Sequence, residues 1–448
     1  MSVETYNAES NSWRTVPPNG HGAETSPDQS ATTWPSPLNK KAFHGVAGDF
    51  VRVVEPHTEA DPAALLVHKL IGFGNLIGRG PYLSVEADRH YTNEFAIMVG
   101  ASSKGRKGTA ESRTRSILAE CDPEWAASRV QSGLSSGEGL IWSVRNPIFK
   151  RDAIREAGRI SGYQEVQSDL GVADKRLHVF ESEFAAVLRQ IDRDGNILST
   201  IIRQAWDTGT LRTMTQNSPA ESSGAHVSIM GHITDEELRR YLSATEQANG
   251  FANRFLWICV RRSKFLPEDE DRRVSQHKLQ PVIERLKEAV TFARTFGESE
   301  MRRDETAREY WRAIYPDLSS GKPGLLGAVT SRAEAHVTRL SCLYALLDKS
   351  DVIRGEHLEA AVALWGYAEA SCKYIFGDAT GNPDADAILK SLRASPGGLT
   401  RTDISNLFGR NRSAAAIGRA LDPLLALGLA KIERHETEGR SAEVWFAV

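Results

Sequence analysis

The run Phe95-Ala-Ile-Met-Val99 followed by Gly100-Ala-Ser-Ser-Lys-Gly-Arg-Lys-Gly-Thr109 narrows the fold more than any other part of the chain. An unbroken apolar run makes a strand buried on both faces, and such strands belong to parallel sheets covered by helices. The Gly-, Ser- and Lys-rich residues after it lead into a helical pattern, which is the context of a phosphate cradle. There glycines let backbone N–H groups close on oxygens, the helix start adds positive dipole, and a lysine reaches the terminal phosphates. Gly100, Ser102, Ser103, Lys104, Gly105, Arg106, Lys107, Gly108 and Thr109 are the candidate nucleotide-binding residues, with the Thr109 hydroxyl as candidate Mg²⁺ ligand. The spacing G-x-x-x-x-G-K-[ST] is not met to the letter. Counted from Gly100, Arg106 takes the lysine position; counting Lys107 as the lysine leaves Gly108 inserted before Thr109.

Further apolar runs at 177–181, 227–230 and 255–260 read as strands, and 109–120, 184–191 and 235–242 as helices. The alternation predicts an α/β domain with a largely parallel sheet. Thr234-Asp-Glu-Glu237 is a capping-box pattern, and upstream Asp61 and Pro62 open a helix over 62–71. The second strand ends in Glu181-Ser-Glu183. A carboxylate at the end of a buried strand holds Mg²⁺ through water, and a neighbour polarises the attacking water. Glu183 is the expected base and Glu181 the expected metal-shell residue, two apart and so on one face of an extended chain. Glu138, in the Gly-rich stretch 133–141, ranks below Glu183. His232, at the tip of the next strand, is expected between the two phosphate motifs, as γ-phosphate sensor or structural residue. Arg254 reads either as an arginine finger for a neighbouring subunit or as a surface residue paired with Glu246 or Asp235.

Residues 1–38 contain only Val3, Val16 and Leu38 among Val, Ile and Leu, too little apolar surface to offset ordering, so a disordered leader is expected. Residues 278–376 read as helices, with breaks at Pro316, 319–324 and Gly355. The last unit has the order helix, helix, helix, strand, strand, and is similar to a winged helix-turn-helix. In that fold the third helix enters the major groove, so Arg410, Asn411, Arg412, Ser413 and Arg419 are the expected DNA contacts.

Lys and Arg number 55 against 58 Asp and Glu, a net charge of −3. That excludes a polycation holding nucleic acid by its overall field, and leaves local clusters such as 261–264 and Arg410/Arg412. No apolar run reaches the span of a bilayer, the start lacks a signal-peptide pattern, and four scattered cysteines fit a reducing compartment. A cytoplasmic protein without a membrane partner is expected.

The segments 103–109, 180–188, 231–234 and 248–257 together resemble a family of primase-associated, helicase-like P-loop ATPases carried by phages, plasmids and integrated elements. The resemblance covers roughly residues 40 to 376. It maps the phosphate lysine onto Lys107 and the acidic motif onto Glu181 and Glu183, with Ser182 where the family has Asp. It implies a RecA/AAA-like P-loop NTPase core, bound ATP and Mg²⁺, a homo-oligomer such as a hexameric ring, DNA as partner and a separate primase. No polymerase domain is expected ahead of the similar region. Residues 330–339 and 351–358 resemble the lid helices of AAA-type motors, from which Arg332 or Arg339 either reaches a nucleotide or, as the preferred reading, makes ordinary salt bridges on a helix face. The expected organisation is leader 1–38, NTPase core 39–265, helical lid 266–380 and winged helix 381–448. The expected function is an ATP-dependent DNA helicase or translocase in replication or mobilisation of a mobile element or phage. The alternatives are a weakly hydrolysing DNA-binding regulator or loading factor, and a partner module that does not touch DNA.

Overall fold

The apolar runs become strands where expected, and they pair side by side. The computed structural model describes all residues except 1–2, 8–11, 17–33, 157–158, 215–220, 323, 378–379, 381 and 436–441. Phe95–Val99 (β1), Val130–Gln131 (β2), Arg176–Glu181 (β3), His226–Ile233 (β4) and Leu256–Cys259 (β5) form one parallel sheet in the order β5-β1-β4-β3-β2. Val99 lies opposite Ile233 and Gly231 opposite Glu181, so β1, β4 and β3 finish next to one another. Every residue of β1 and β4 is buried, as a sheet covered on both faces requires.

Pro62–Ile77 (α1) runs longer than the 62–71 reading and is buried almost throughout, with Asp61 capping Ala63 N–H. Its Asn75 donates to the carbonyls of Leu177 and His226 and accepts from Trp125 Nε1, so a buried amide fixes the helix to β3 and β4 at no unpaired cost. Lys107–Cys121 (α2) follows the glycine-rich loop and Phe184–Ile191 (α3) follows β3. Phe95 and Phe184 both pack on Phe255, with ring centroids 5.3 and 5.6 Å apart. Leu198–Asp207 (α4) and Asp235–Tyr241 (α5) complete this part, and Thr234 and Glu237 form the expected reciprocal capping box.

Gln276–Phe296 (α6), Glu305–Ser319 (α7), Ala333–Leu347 (α8) and Gly355–Phe376 (α9) occupy the region expected as a lid. Pro316 lies inside α7 and does not end it. Val282, Leu286, Val337, Leu343 and Leu364 belong to the same buried cluster as Leu66, Met98 and Ile258, so α6, α8 and α9 close the main core. One compact unit comprises residues 35–320 and 330–372, and a second comprises 1–34, 321–329 and 373–448.

In the second unit Pro383–Arg393 (α10), Arg401–Leu407 (α11) and Ala414–Ala426 (α12) surround a core of Ile388, Leu392, Ile404, Ile417, Leu421 and Trp445. Leu399–Thr400 (β6), Ala430–His435 (β7) and Ala442–Ala447 (β8) pair antiparallel in the order β6-β8-β7. Val3–Asn7 pairs with β7 and with Ser12–Val16, strands that the polar composition of 1–38 gives no sign of. The rest of the expected leader up to residue 33 lies outside the described residues, as does the turn 436–441. Also unforeseen is an antiparallel hairpin, Ile148–Glu156 with Arg159–Asp169, whose Phe149, Ile160 and Tyr163 are more than half exposed.

Candidate functional site

Open α/β sheets bind ligands outside the carboxyl ends of their strands, and here β1 runs straight into the glycine-rich loop. A Cβ at Gly100 would lie 2.1 Å from the Val260 carbonyl, so only glycine lets β1 leave the sheet this close to the strand beside it. The loop makes a short 3-10 turn over Ser103–Gly105, with Ser102 and Lys104 exposed. Arg106 then takes a left-handed conformation (φ 53°), and α2 starts at Lys107.

That turn settles which basic residue serves the loop. Lys107 Nζ donates to the carbonyls of Gly100 (2.7 Å), Ala101 (3.0 Å) and Ile233 (3.2 Å). Its ammonium lies inside the loop and against the end of β4, and burial pushes its pKa down to about 8. Arg106 instead pairs with Glu59 at 2.6 Å. Glu59 also accepts from the Leu266 N–H and faces Arg262 and Arg272. The Leu266 bond, ahead of the arginines, holds its carboxyl below the usual range.

Ser102, Arg106, Lys107, Gly108, Thr109, Ser182, Glu183, His232, Ile233, Thr234 and Glu237 line one cleft of about 620 Å³, within the size range of small-molecule sites. Gly108 has no atom within 4 Å of a Cβ position. Sequence elements 50 to 130 residues apart thus meet as the strand order requires.

Glu183 is exposed, precedes α3 and makes no side-chain capping bond, so its carboxylate is not spent on the helix. Glu181 is placed differently from expectation. β3 ends at Glu181 and the chain turns, so the two acids do not share an extended face; Glu181 accepts from the N–H groups of Gly133 (2.7 Å) and Leu134 (2.6 Å). It braces the 132–134 loop and does not line the cleft. Glu138 lies in the first turn of the short helix Gly137–Trp142 and is also absent from the lining.

His232 sits at the tip of β4 between β1 and β3. Its Nε2 lies 3.1 Å from His68 Nε2, a contact that makes one ring the donor and the other the acceptor. Burial and the neighbouring Lys107 push its pKa down to about 3, so it enters the cleft neutral. His68 and Glu237 were not singled out from sequence; Glu237 was legible only as a capping residue.

Arg254 is 6 % exposed and makes two bonds to Asp207 (3.2 and 2.6 Å) and one to the Gly250 carbonyl. The partner is neither Glu246 nor Asp235, and the guanidinium is held within its own chain, not offered to a neighbour. Arg332 shares Asp207 at 3.4 Å. Arg339 is fully buried, stacks 3.6 Å from the Trp206 ring and donates to the carbonyls of Asn93 and Trp206. Asn93 precedes β1, so Arg339 lies at the other end of the sheet from the phosphate loop. Within the cluster 261–264, Arg262 faces Glu59 and Lys264 pairs with Glu55, while Arg261 is exposed and its backbone N–H bonds Asp61.

His44, Glu356 and His357 lie close enough to share a cation. However, His357 Nδ1 accepts the Arg354 N–H, which leaves the ring proton on Nε2, facing Asp348 at 3.4 Å. Asp348 also takes His44 Nε2 at 2.6 Å. Asp348 thus bonds one imidazole, His44, and faces a second, His357, and its carboxyl is held low by the two rings against the pull of burial.

In the second unit Arg410 (φ 63°), Asn411, Arg412, Ser413 and Arg419 are all exposed. Arg410 bonds Asn406, Arg412 forms a two-pronged pair with Asp384 (2.8 and 3.1 Å), and Ser413 caps α12 through the Ala416 N–H. Asn411 and Arg419 stand at and one to two turns along the same helix start.

No protein-family model matches the chain, and no curated protein shows significant similarity to it. Among the described residues no helix is long and apolar enough to cross a membrane.

Proposed function

We propose that the chain is an ATP hydrolase with a RecA/AAA-like P-loop core, working on DNA as a helicase or translocase of a mobile element or phage. The observation that carries this reading is the single cleft into which the loop 100–109, Glu183 and His232 converge. The donor set fits a magnesium-bound triphosphate: an ammonium already positioned by three carbonyls, the first turn of a 15-residue helix, a hydroxyl and a carboxylate. Lys107 would bind the β/γ-phosphates, the Thr109 hydroxyl would hold Mg²⁺, and Glu183 would orient the attacking water and take its proton. The metal supplies charge neutralisation on the phosphate oxygens when bound. Neutral His232 offers a hydrogen bond and no charge, as a sensor of the γ-phosphate does.

The second unit is proposed as a winged helix, with α12 as the helix presented to DNA and β7–β8 as the wing. A ring-forming homo-oligomer and a separate primase are part of the same proposal. The second reading, a nucleotide-gated regulator with slow turnover, is favoured by one observation: Glu181 is engaged by the 132–134 loop and Glu237 caps Thr234, so Glu183 is the lining acid not spent on a bond of this kind. Phosphate release with and without single-stranded DNA decides between them, with DNA stimulation expected for the motor and slow, DNA-insensitive turnover for the regulator.

A further inference from the structure

A second cleft, of about 660 Å³, lies at the amino-terminal end of the sheet, away from the phosphate loop. Its walls come from the hairpin before β1 (Ser84, His90), from Asn253 ahead of β5, from Arg303 and α7, and from the start of α8 (Arg332, Thr338). Three polar atoms around it, His90 Nδ1, Asn253 Oδ1 and Arg303 Nε, are buried without a hydrogen-bond partner. Buried polar atoms left without partners are costly, and three of those among the described residues border this one cleft.

The charge and the flat surfaces say what kind of ligand. Arg303 makes no ion pair among the described residues; its guanidinium lies 4.0 Å over the Trp311 ring and donates to Thr338 Oγ1. Arg332 shares Asp207 with Arg254, and Glu334 is the acid in the lining. Burial together with Arg339, Arg332 and Arg303 keeps His90 neutral, with its pKa near 4. One turn beyond Trp311, Tyr315 packs against it with ring centroids 5.6 Å apart and planes tilted by 55°, and leaves 47 % of its own surface open. The half-exposed phenol offers a planar face for a base, and Arg303 and Arg332 offer two cations for a phosphate.

We infer that this cleft binds a nucleotide unit, its base stacked on Tyr315 and its phosphate held by Arg303 and Arg332, at a site separate from the phosphate loop. The unit is either a free mononucleotide or one residue of a single strand. Neither case requires ATP hydrolysis, so this inference stands apart from the proposed activity.

The test uses the full chain with an oligo(dT) carrying a photoreactive thymine, read by cross-link mapping and by fluorescence anisotropy. The expected result is a cross-link in the peptide holding Trp311 and Tyr315, and affinity about tenfold weaker in Tyr315→Ala and in Arg303→Gln. Tyr315 is exposed, so its variant folds even if Arg303→Gln does not. Displacement by equimolar dTMP identifies a free nucleotide as the ligand, and resistance to dTMP identifies a strand. Cross-links confined to other peptides, with Tyr315→Ala binding as the parent does, would overturn the assignment.

Discussion

Lys107 Nζ donates to the Ile233 carbonyl at 3.2 Å, tying the first residue of α2 to the last residue of β4. With its two bonds to the loop carbonyls, this contact fixes the ammonium at the mouth of the cleft before any ligand arrives. Preorganised charge of this kind is what a phosphate site needs, because no reorganisation is left to be done on binding.

The same burial makes the site sensitive to alkali. Lys107 is held down to about 8, and a phosphate-binding lysine must be protonated. Nucleotide affinity is therefore full below pH 8 and falls above it, by up to about tenfold per unit. Folding responds in the opposite sense: the unfolded lysine keeps its proton to near 10.5, so this group's contribution to stability rises between pH 8 and 10.5. Nucleotide titrations at pH 7 and pH 9, with unfolding curves at each, separate the two effects. Equal affinity at both would contradict this placement of the lysine.

Glu183 and Glu181 should separate cleanly. Glu183→Gln keeps nucleotide binding and lowers turnover by about 10²–10⁴, since the carboxylate faces the cleft. Glu181→Gln leaves the Gly133 and Leu134 N–H groups a neutral acceptor, and lowers the melting temperature while turnover changes less. Single-turnover hydrolysis and thermal unfolding of the two variants are the check; the reverse pattern would return the base role to Glu181.

Arg254→Ala should destabilise the protein itself. Removing one member of a buried pair costs about 3–5 kcal/mol, a figure to be reduced here because Asp207 is one-third exposed and keeps Arg332. Denaturant unfolding gives the value. A variant as stable as the parent but slow in turnover would instead restore the arginine-finger role.

Asp384 restrains Arg412 at the start of α12. Asp384→Asn frees that guanidinium and should tighten DNA binding severalfold, while Arg410→Ala weakens it and lowers the slope of log affinity against log salt by about one. Salt titrations of both variants measure this, and a neutral outcome for the pair would favour a protein partner for the second unit.

Much of the framework was legible because buried parallel strands are continuous apolar runs: β1 and α3 fall on the residues expected, and β3, β4 and β5 within a few. Val130–Gln131 was not, since two residues at a sheet edge carry no periodicity. The hairpin 148–169 escaped because exposed strands alternate too many polar residues to stand out. Within the site, Lys107, Glu183 and His232 were recognisable from their positions after strands. What spacing does not encode is the direction of a side chain once a strand has ended. Glu181 and Glu183 sit two apart, yet the turn at Ser182 sends one to the 132–134 loop and the other to the cleft. Arg254, Arg262 and Lys264 show the same limit: a basic residue in a sequence does not announce the carboxylate that meets it after folding.

ATP turnover of the parent and of Lys107→Ala, each with and without single-stranded DNA, tests the central claim most directly. The account predicts phosphate release by the parent that rises with DNA, and its loss in Lys107→Ala with the melting profile retained. Turnover in Lys107→Ala equal to that of the parent would contradict it.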